Sequence, residues 1–151
     1  MRALIQRVTN ACVTVDGVDV GKINKGILLF LAVVAGDGQQ QCSNMVRKVA
    51  GLRIFPDSDG RMNLSVADID GEILVVSQFT LAADLKKGYR PSFGSAEEPK
   101  LAQEMCNNFC KELRATGIKV EEGEFGADMQ VSLNNDGPVT FWLDFPPKIG
   151  S

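Results

Sequence analysis

Residues 26–35 read GILLFLAVVA, an apolar run with no charge and no polar interruption. At about ten residues the run is too short to cross a bilayer as a helix. It therefore reads as a central strand buried on both faces. EILVVSQFTL, residues 72–81, is a second strongly apolar strand.

Around these two lie weaker signals. ALIQRV (3–8) and CVTVDGVDVGKI (12–23) read as short strands, with Asp16-Gly17 as a hairpin turn. After the polar GDGQQQCSN, Met45, Val46, Val49 and Leu52 recur at helical spacing. RIFPDSDGRMNLSV (53–66) returns to extended chain through a Pro-Asp-x-Asp-Gly turn. A second helix follows: Ser95 and Glu98 have capping-box spacing, Pro99 falls in the tolerant first turn, and Gly117 lies past the end. Leu101, Met105, Phe109 and Leu113, with Ala102 and Cys106, form its expected apolar stripe. IKVEEGEF, DMQVSL and VTFWLDF close the chain as strands, the last two separated by a turn at Asn135-Asp136-Gly137. The expected architecture is a mixed α/β (α+β) domain spanning 1–151, with layered mixed β-sheets and two principal helices.

Composition narrows the function. With 44% apolar and 23% charged residues the chain is of ordinary globular type. A net charge of −3 argues against a general nucleic-acid coat protein, yet allows a local basic patch. The start, MRALIQRVTN, lacks the apolar core of a secretory signal, so a cytoplasmic location and no membrane contact are expected. Cys12, Cys42, Cys106 and Cys110 include no Cys-x-x-Cys pair, and no metal or cofactor is expected. The chain has no histidine, which rules out Ser-His-Asp and Cys-His devices and a histidine base.

Three stretches hold chemistry-bearing residues. In VVSQFTLAAD, Ser77, Gln78, Phe79 and Thr80 end an apolar strand that does not need them for stability. Such a terminus offers hydroxyls, an amide and free backbone N–H groups, or else is simply a polar strand end. In LKKGYRPSF, Lys86, Lys87 and Arg90 are either solvated surface or a phosphate-contacting patch. In NNDGPVTFW, Gly137-Pro138 stiffens the chain where a strand resumes; taken alone it is a turn.

Taken together, MRALIQRV, the run LRIFPDSDGRMNLSVADIDGEILVVSQFTL, KKGYRPSF and FGADMQVSLNNDGPVT resemble the D-aminoacyl-tRNA deacylases, in the same order and over nearly the whole chain. SQFTL and NDGPVT carry the resemblance most specifically. It implies a homodimer with active sites at the subunit interface, cleaving the ester between a D-amino acid, or glycine, and the 3′-terminal adenosine of tRNA. It further implies that Gly137-Pro138 is cis and enters the partner subunit's pocket, with Arg7 pinning its orientation. The N–H groups of Phe79 and Thr80 would hold the oxyanion. Gln78 would bind near the ester or adenosine, and Ala102 would leave room beside them. Thr80 matches a threonine once assigned as nucleophile, but no base stands near it in sequence; attack by water aided by the substrate's 2′-hydroxyl is the preferred alternative. Two other readings stay open: a tRNA-binding or scaffold protein without hydrolysis, and a hydrolase or deaminase of a free metabolite. DNA is not an expected partner.

Overall fold

The computed structural model describes residues 1–148. Its elements in chain order are β1 (Arg2–Val15), β2 (Val18–Ile23), β3 (Gly26–Ala32), α1 (Gln39–Gly51), β4 (Phe55–Pro56), β5 (Met62–Leu64), β6 (Glu72–Ser77), a 3-10 helix (Phe79–Ala82), α2 (Pro99–Ala115), β7 (Lys119–Glu122) and β8 (Gln130–Asp144). Six strands form one mixed sheet in the order β2-β1-β3-β6-β7, with β8 on the far edge of β1, while β4 and β5 form a small hairpin. β3, β6 and β7 run parallel, and β1 is antiparallel to all its neighbours. The sheet curls until β2 reaches β7, where Gly21 lies against the Glu122 carbonyl, leaving a nearly closed, barrel-like form.

The curl explains why GILLFLA has no polar face. Ile27, Leu29 and Leu31 point to a core under the helices, and Leu28 points to a second core on the concave side. Ile73 and Val75 in β6 divide from Leu74 and Val76 in the same way. β3 ends at Ala32, short of the expected residue 35; beyond it only an isolated bridge joins Val34 to Ala96.

The first two expected strands are one continuous strand with a bulge. Ala3 and Ile5 face the helices, whereas Ala11 and Val13, also odd-numbered, face the concave core. The faces exchange where Val8 pairs with Asn135 and Asn10 with Asn134, two steps on β1 against one on β8. One extra residue reverses the alternation and turns the second half of β1 into the barrel. The Asp16-Gly17 turn forms as expected, both residues having positive φ.

Both helices differ from expectation in detail. α1 begins at Gln39, well before Met45, because Gln41 Oε1 accepts from the Gly38 N–H at 2.8 Å while Cys42 is buried. α2 is capped by Glu98, not Ser95: its carboxylate accepts from the N–H groups of Lys100 and Leu101. Ser95 Oγ instead donates to the Ala82 carbonyl at 2.8 Å. Of the expected stripe, Ala102, Met105, Cys106, Phe109 and Leu113 pack on the core, joined by Cys110, whereas Leu101 is 51% exposed.

These burials predict a contrast. Phe109→Ala lowers unfolding free energy by about 3–5 kcal/mol, as for a filled core position, and Leu101→Ala by about 1 kcal/mol or less. Urea denaturation of the two variants checks which members of the stripe are buried.

Candidate active site

β6 ends at Ser77, opposite Leu31 of β3, and the Gln78 N–H donates to the Leu31 carbonyl at 2.8 Å. The strand does not continue, so Ser77, Phe79 and Gln78, Thr80 do not alternate across it. Instead the chain winds into the 3-10 helix, with Leu81 N–H on the Gln78 carbonyl and Ala83 N–H on the Thr80 carbonyl. Phe79 and Thr80 are its first two residues, and a first turn leaves its N–H groups without partners inside the helix. Neither N–H has a hydrogen-bond partner among the described residues.

This terminus opens on a cleft of about 760 Å³. Val76, Ser77, Gln78 and Phe79 form one wall; Phe93 and the segment from Ala96 through Pro99 to Ala102 form the second; Phe125–Met129 and Val131 form the third. The second wall is tied to the end of β3 by the Ala35 N–H on the Ser95 carbonyl and the Glu97 N–H on the Val33 carbonyl. At the mouth, the rings of Phe79 and Phe93 meet with centroids 5.1 Å apart, 61% and 40% exposed respectively. An aromatic rim of this kind suits a flat ring or an apolar side chain.

Little conventional acid–base equipment is present. Thr80 is exposed and does not line the cleft; its Oγ1 accepts from Gln78 Nε2 at 2.6 Å, and no base binds it among the described residues. Glu98 is committed to the α2 cap, and Glu97 accepts from the Glu98 N–H. No cysteine lines the cleft. Burial, reinforced by Glu112, pushes the Cys42 thiol up to about 12, and burial with Glu122 does the same for Cys106. Burial raises Cys110 further, and desolvation with Asp19 raises Cys12.

The Gly137-Pro138 segment corrects the expected turn. MQVSL and VTFWLD are one strand, β8, and both halves pair with β1 in the same direction. Asn135 is opposite Val8 and Thr140 opposite Gln6, so Asp136–Val139 loops out against the single residue Arg7. Arg7 Nε donates to the Asp136 carbonyl at 2.9 Å and Nη1 to the Ile54 carbonyl at 2.7 Å. Asn135 closes the neck, its Oδ1 accepting from the Val139 N–H at 2.7 Å and its Nδ2 donating to the Val139 carbonyl at 3.2 Å. The amide thus stands in for a neighbouring peptide. The Gly137-Pro138 bond is cis.

The expected residues therefore fall into three groups. Ser77, Gln78, Phe79 and Ala102 line the cleft, with Thr80 beside Gln78. Gly137 and Pro138 lie in the excursion that Arg7 clamps, and neither it nor Arg7 contributes to that lining. Val131, the last cleft residue on β8, lies six positions before Gly137, roughly 20 Å along an extended strand. Lys86, Lys87 and Arg90 sit on an exposed loop closed by paired hydrogen bonds between Asp84 and Ser92, which returns to the rim at Phe93. The sequence reading missed Asn135 at the neck, the cap role of Glu98 and the Phe125–Met129 wall. The only hint of the last was FGADM heading a resembling stretch.

Comparison with known proteins places the chain in a family. Residues 4–144 match the family described as D-Tyr-tRNA(Tyr) deacylase. A D-aminoacyl-tRNA deacylase of Magnetococcus marinus is 62% identical over 99% of this chain and 100% of its own. One of Ruegeria pomeroyi is 55% identical over 95% and 99%. Among solved structures, one described as "c-Myc DNA Unwinding Element Binding Protein" is 43% identical, covers 97% of this chain and 99% of its own, and superposes with a TM-score of 0.92. A probable eukaryotic D-amino acid tRNA deacylase shares the fold at 17% identity and TM-score 0.84, covering 95% and 98%. The protein is an enzyme of the ester-hydrolase class. More particularly, the chain belongs to the D-Tyr-tRNA(Tyr) deacylase family.

The thiol surroundings predict that alkylation with iodoacetamide at pH 7.5 leaves hydrolytic activity intact. Each thiol is held above its usual value, so little thiolate exists at that pH, and none is in the cleft. Rapid inactivation with one equivalent incorporated would reveal a cysteine in the chemistry.

Proposed function

We propose that residues 1–151 act as one D-aminoacyl-tRNA deacylase domain, working as a cytoplasmic homodimer that frees D-amino acids, and glycine, from tRNA. One observation carries the dimeric part of this reading: a rigidly clamped excursion that its own chain's cleft does not use. In the proposed assembly Gly137-Pro138 of one subunit enters the cleft of the other. Its carbonyls there meet the substrate's α-carbon. A D-residue turns only hydrogen toward them, whereas an L-residue would drive its side chain into fixed backbone. Selection is by repulsion, which also explains acceptance of glycine.

The chemistry needs no protein nucleophile. Water attacks the ester carbonyl, and the negative charge forming on the carbonyl oxygen is received by the N–H groups of Phe79 and Thr80. One such donor is typically worth about 2.7–4 kcal/mol. The ester C–O bond then breaks, and the terminal ribose 3′-oxygen leaves with a proton relayed through the adjacent 2′-hydroxyl. Free amino acid and tRNA result. Gln78, steadied by its bond to Thr80, orients the ester or adenosine. Ala102 keeps the facing wall low, with Ser77 at the base of the cleft. Holding water and ester in register supplies most of the remaining effect.

A second reading, a nucleic-acid-binding protein without hydrolysis, draws on the printed description of the 43%-identical structure and on the exposed Lys86, Lys87 and Arg90. The net charge of −3 weighs against general DNA binding.

Assayed on one tRNA charged with either enantiomer of one amino acid, the protein is expected to release the D-form and spare the L-form. Equal release, or none, contradicts the reading. Thr80→Ala is expected to retain most activity, while a terminal 2′-deoxyadenosine lowers the rate by at least about a hundredfold. The reverse pair of results would restore Thr80 as nucleophile.

A further inference from the structure

The proposed chemistry leaves one charged cavity without a role. At the C-terminal end of α1, Arg47, Lys48 and Arg53 surround a hollow of about 550 Å³, with Asn44 and Phe145 on its walls. No carboxylate lines it, and none of the three cations forms an ion pair among the described residues. Arg53 does donate to the carbonyl and side chain of Asn63, and its charge reaches Asp68. Arg47 and Lys48 are exposed. A helix C-terminus favours one cation, and Lys48 in the last turn meets that need. Three cations in one concavity of a chain with net charge −3 concentrate positive potential beyond it.

The position of the hollow gives the ligand. Arg53 directly precedes Ile54, and one Arg7 guanidinium binds both the Ile54 carbonyl and the Asp136 carbonyl. The Arg53 edge of the hollow therefore lies toward the foot of the Gly137-Pro138 excursion, while Phe145 marks its far side beyond the end of β8. If that excursion reaches into the partner's cleft, the Arg53 edge faces the same partner, on a side from which a polynucleotide ending in that cleft can approach. Guanidinium and ammonium groups around a side-chain amide suit a phosphodiester oxygen.

We infer that the Arg47, Lys48 and Arg53 hollow binds a backbone phosphate of the tRNA whose terminal adenosine occupies the partner subunit's cleft. This rests on the dimeric deacylase reading and names positioning residues for it. One tRNA is thus held by both chains: this hollow from the subunit giving the excursion, the Lys86, Lys87 and Arg90 loop from the subunit giving the cleft.

The test uses the full-length variant Arg47→Gln/Lys48→Gln, whose sites are exposed and whose new residues keep good helix propensity. On D-aminoacyl-tRNA, KM is expected to rise about tenfold with kcat unchanged, as loss of phosphate contacts implies. On D-aminoacyl-adenosine, which has no phosphate, both constants stay as in the unaltered protein. For uncharged tRNA, the slope of log affinity against log salt becomes shallower by about 1.8 for two lost duplex contacts, or about 1.4 if single-stranded. An unchanged KM on tRNA, an equal loss on both substrates, or inorganic phosphate competing as strongly as tRNA would each overturn the inference. If the unaltered protein hydrolyses neither substrate, the deacylase reading fails by itself, and the salt slope still decides whether the hollow binds RNA.

Discussion

Arg7 binds two carbonyls at once, Ile54 on one side and Asp136 on the other, and its side chain is only 11% exposed. Hydrogen bonds from a charged donor contribute about 1.5–3 kcal/mol each, whereas the longer contact to the half-exposed Asp136 carboxylate, at 3.8 Å, adds little. The pair fixes where β8 leaves β1 and returns to it. Without it, three surplus residues on β8 would have no reason to take one shape. Asn135 shuts the neck from the other side, replacing the lost strand partner with its own amide. Gly137 suits the tip for a steric reason: a Cβ there would stand 2.6 Å from Val139 Cγ2 and 2.7 Å from the Val139 nitrogen.

The cleft has few reactive groups of its own. Its walls are aromatic and aliphatic, two of its carboxylates serve the backbone, and its free donors are N–H groups at a strand end. A site of this composition works through shape and oriented dipoles. It also has little means of telling enantiomers apart by attraction: Glu97 and Glu98 serve backbone N–H groups, and Asp128 on the third wall is exposed. In the dimer we propose, the partner's tip supplies the rigid body that such walls lack.

Much of the scaffold was legible in the sequence, and the physical limits of that reading are specific. β3 and β6 were readable because both faces are buried, so no polar letter interrupts them. The Phe109 and Leu113 turns of α2 were readable from their 3.6-residue period. Whether β8 reverses or continues after Asn135 was not, because alternation reports faces and not partners, and its partner β1 begins over a hundred residues earlier. The start of α1 was hidden because its first turns carry polar letters, although Gln41 and Cys42 are buried. At the site, SQFTL and NDGPVT singled out the strand end that opens on the cleft and the clamped excursion, but nothing in the letters placed these on separate parts of one chain. Asn135 at the neck was legible only as a turn residue.

Cross-subunit completion is most directly tested with mixed dimers. Gly137→Ala, which the Val139 contact makes incompatible with the tip's shape, and Gln78→Ala are each expected to inactivate a homodimer. Co-expressed with different tags and isolated as the heterodimer, they should recover about half the activity of the unaltered protein, since one of two equivalent sites then joins an intact cleft to an intact tip. A heterodimer as inactive as its parents would place tip and cleft in the same chain and contradict the account.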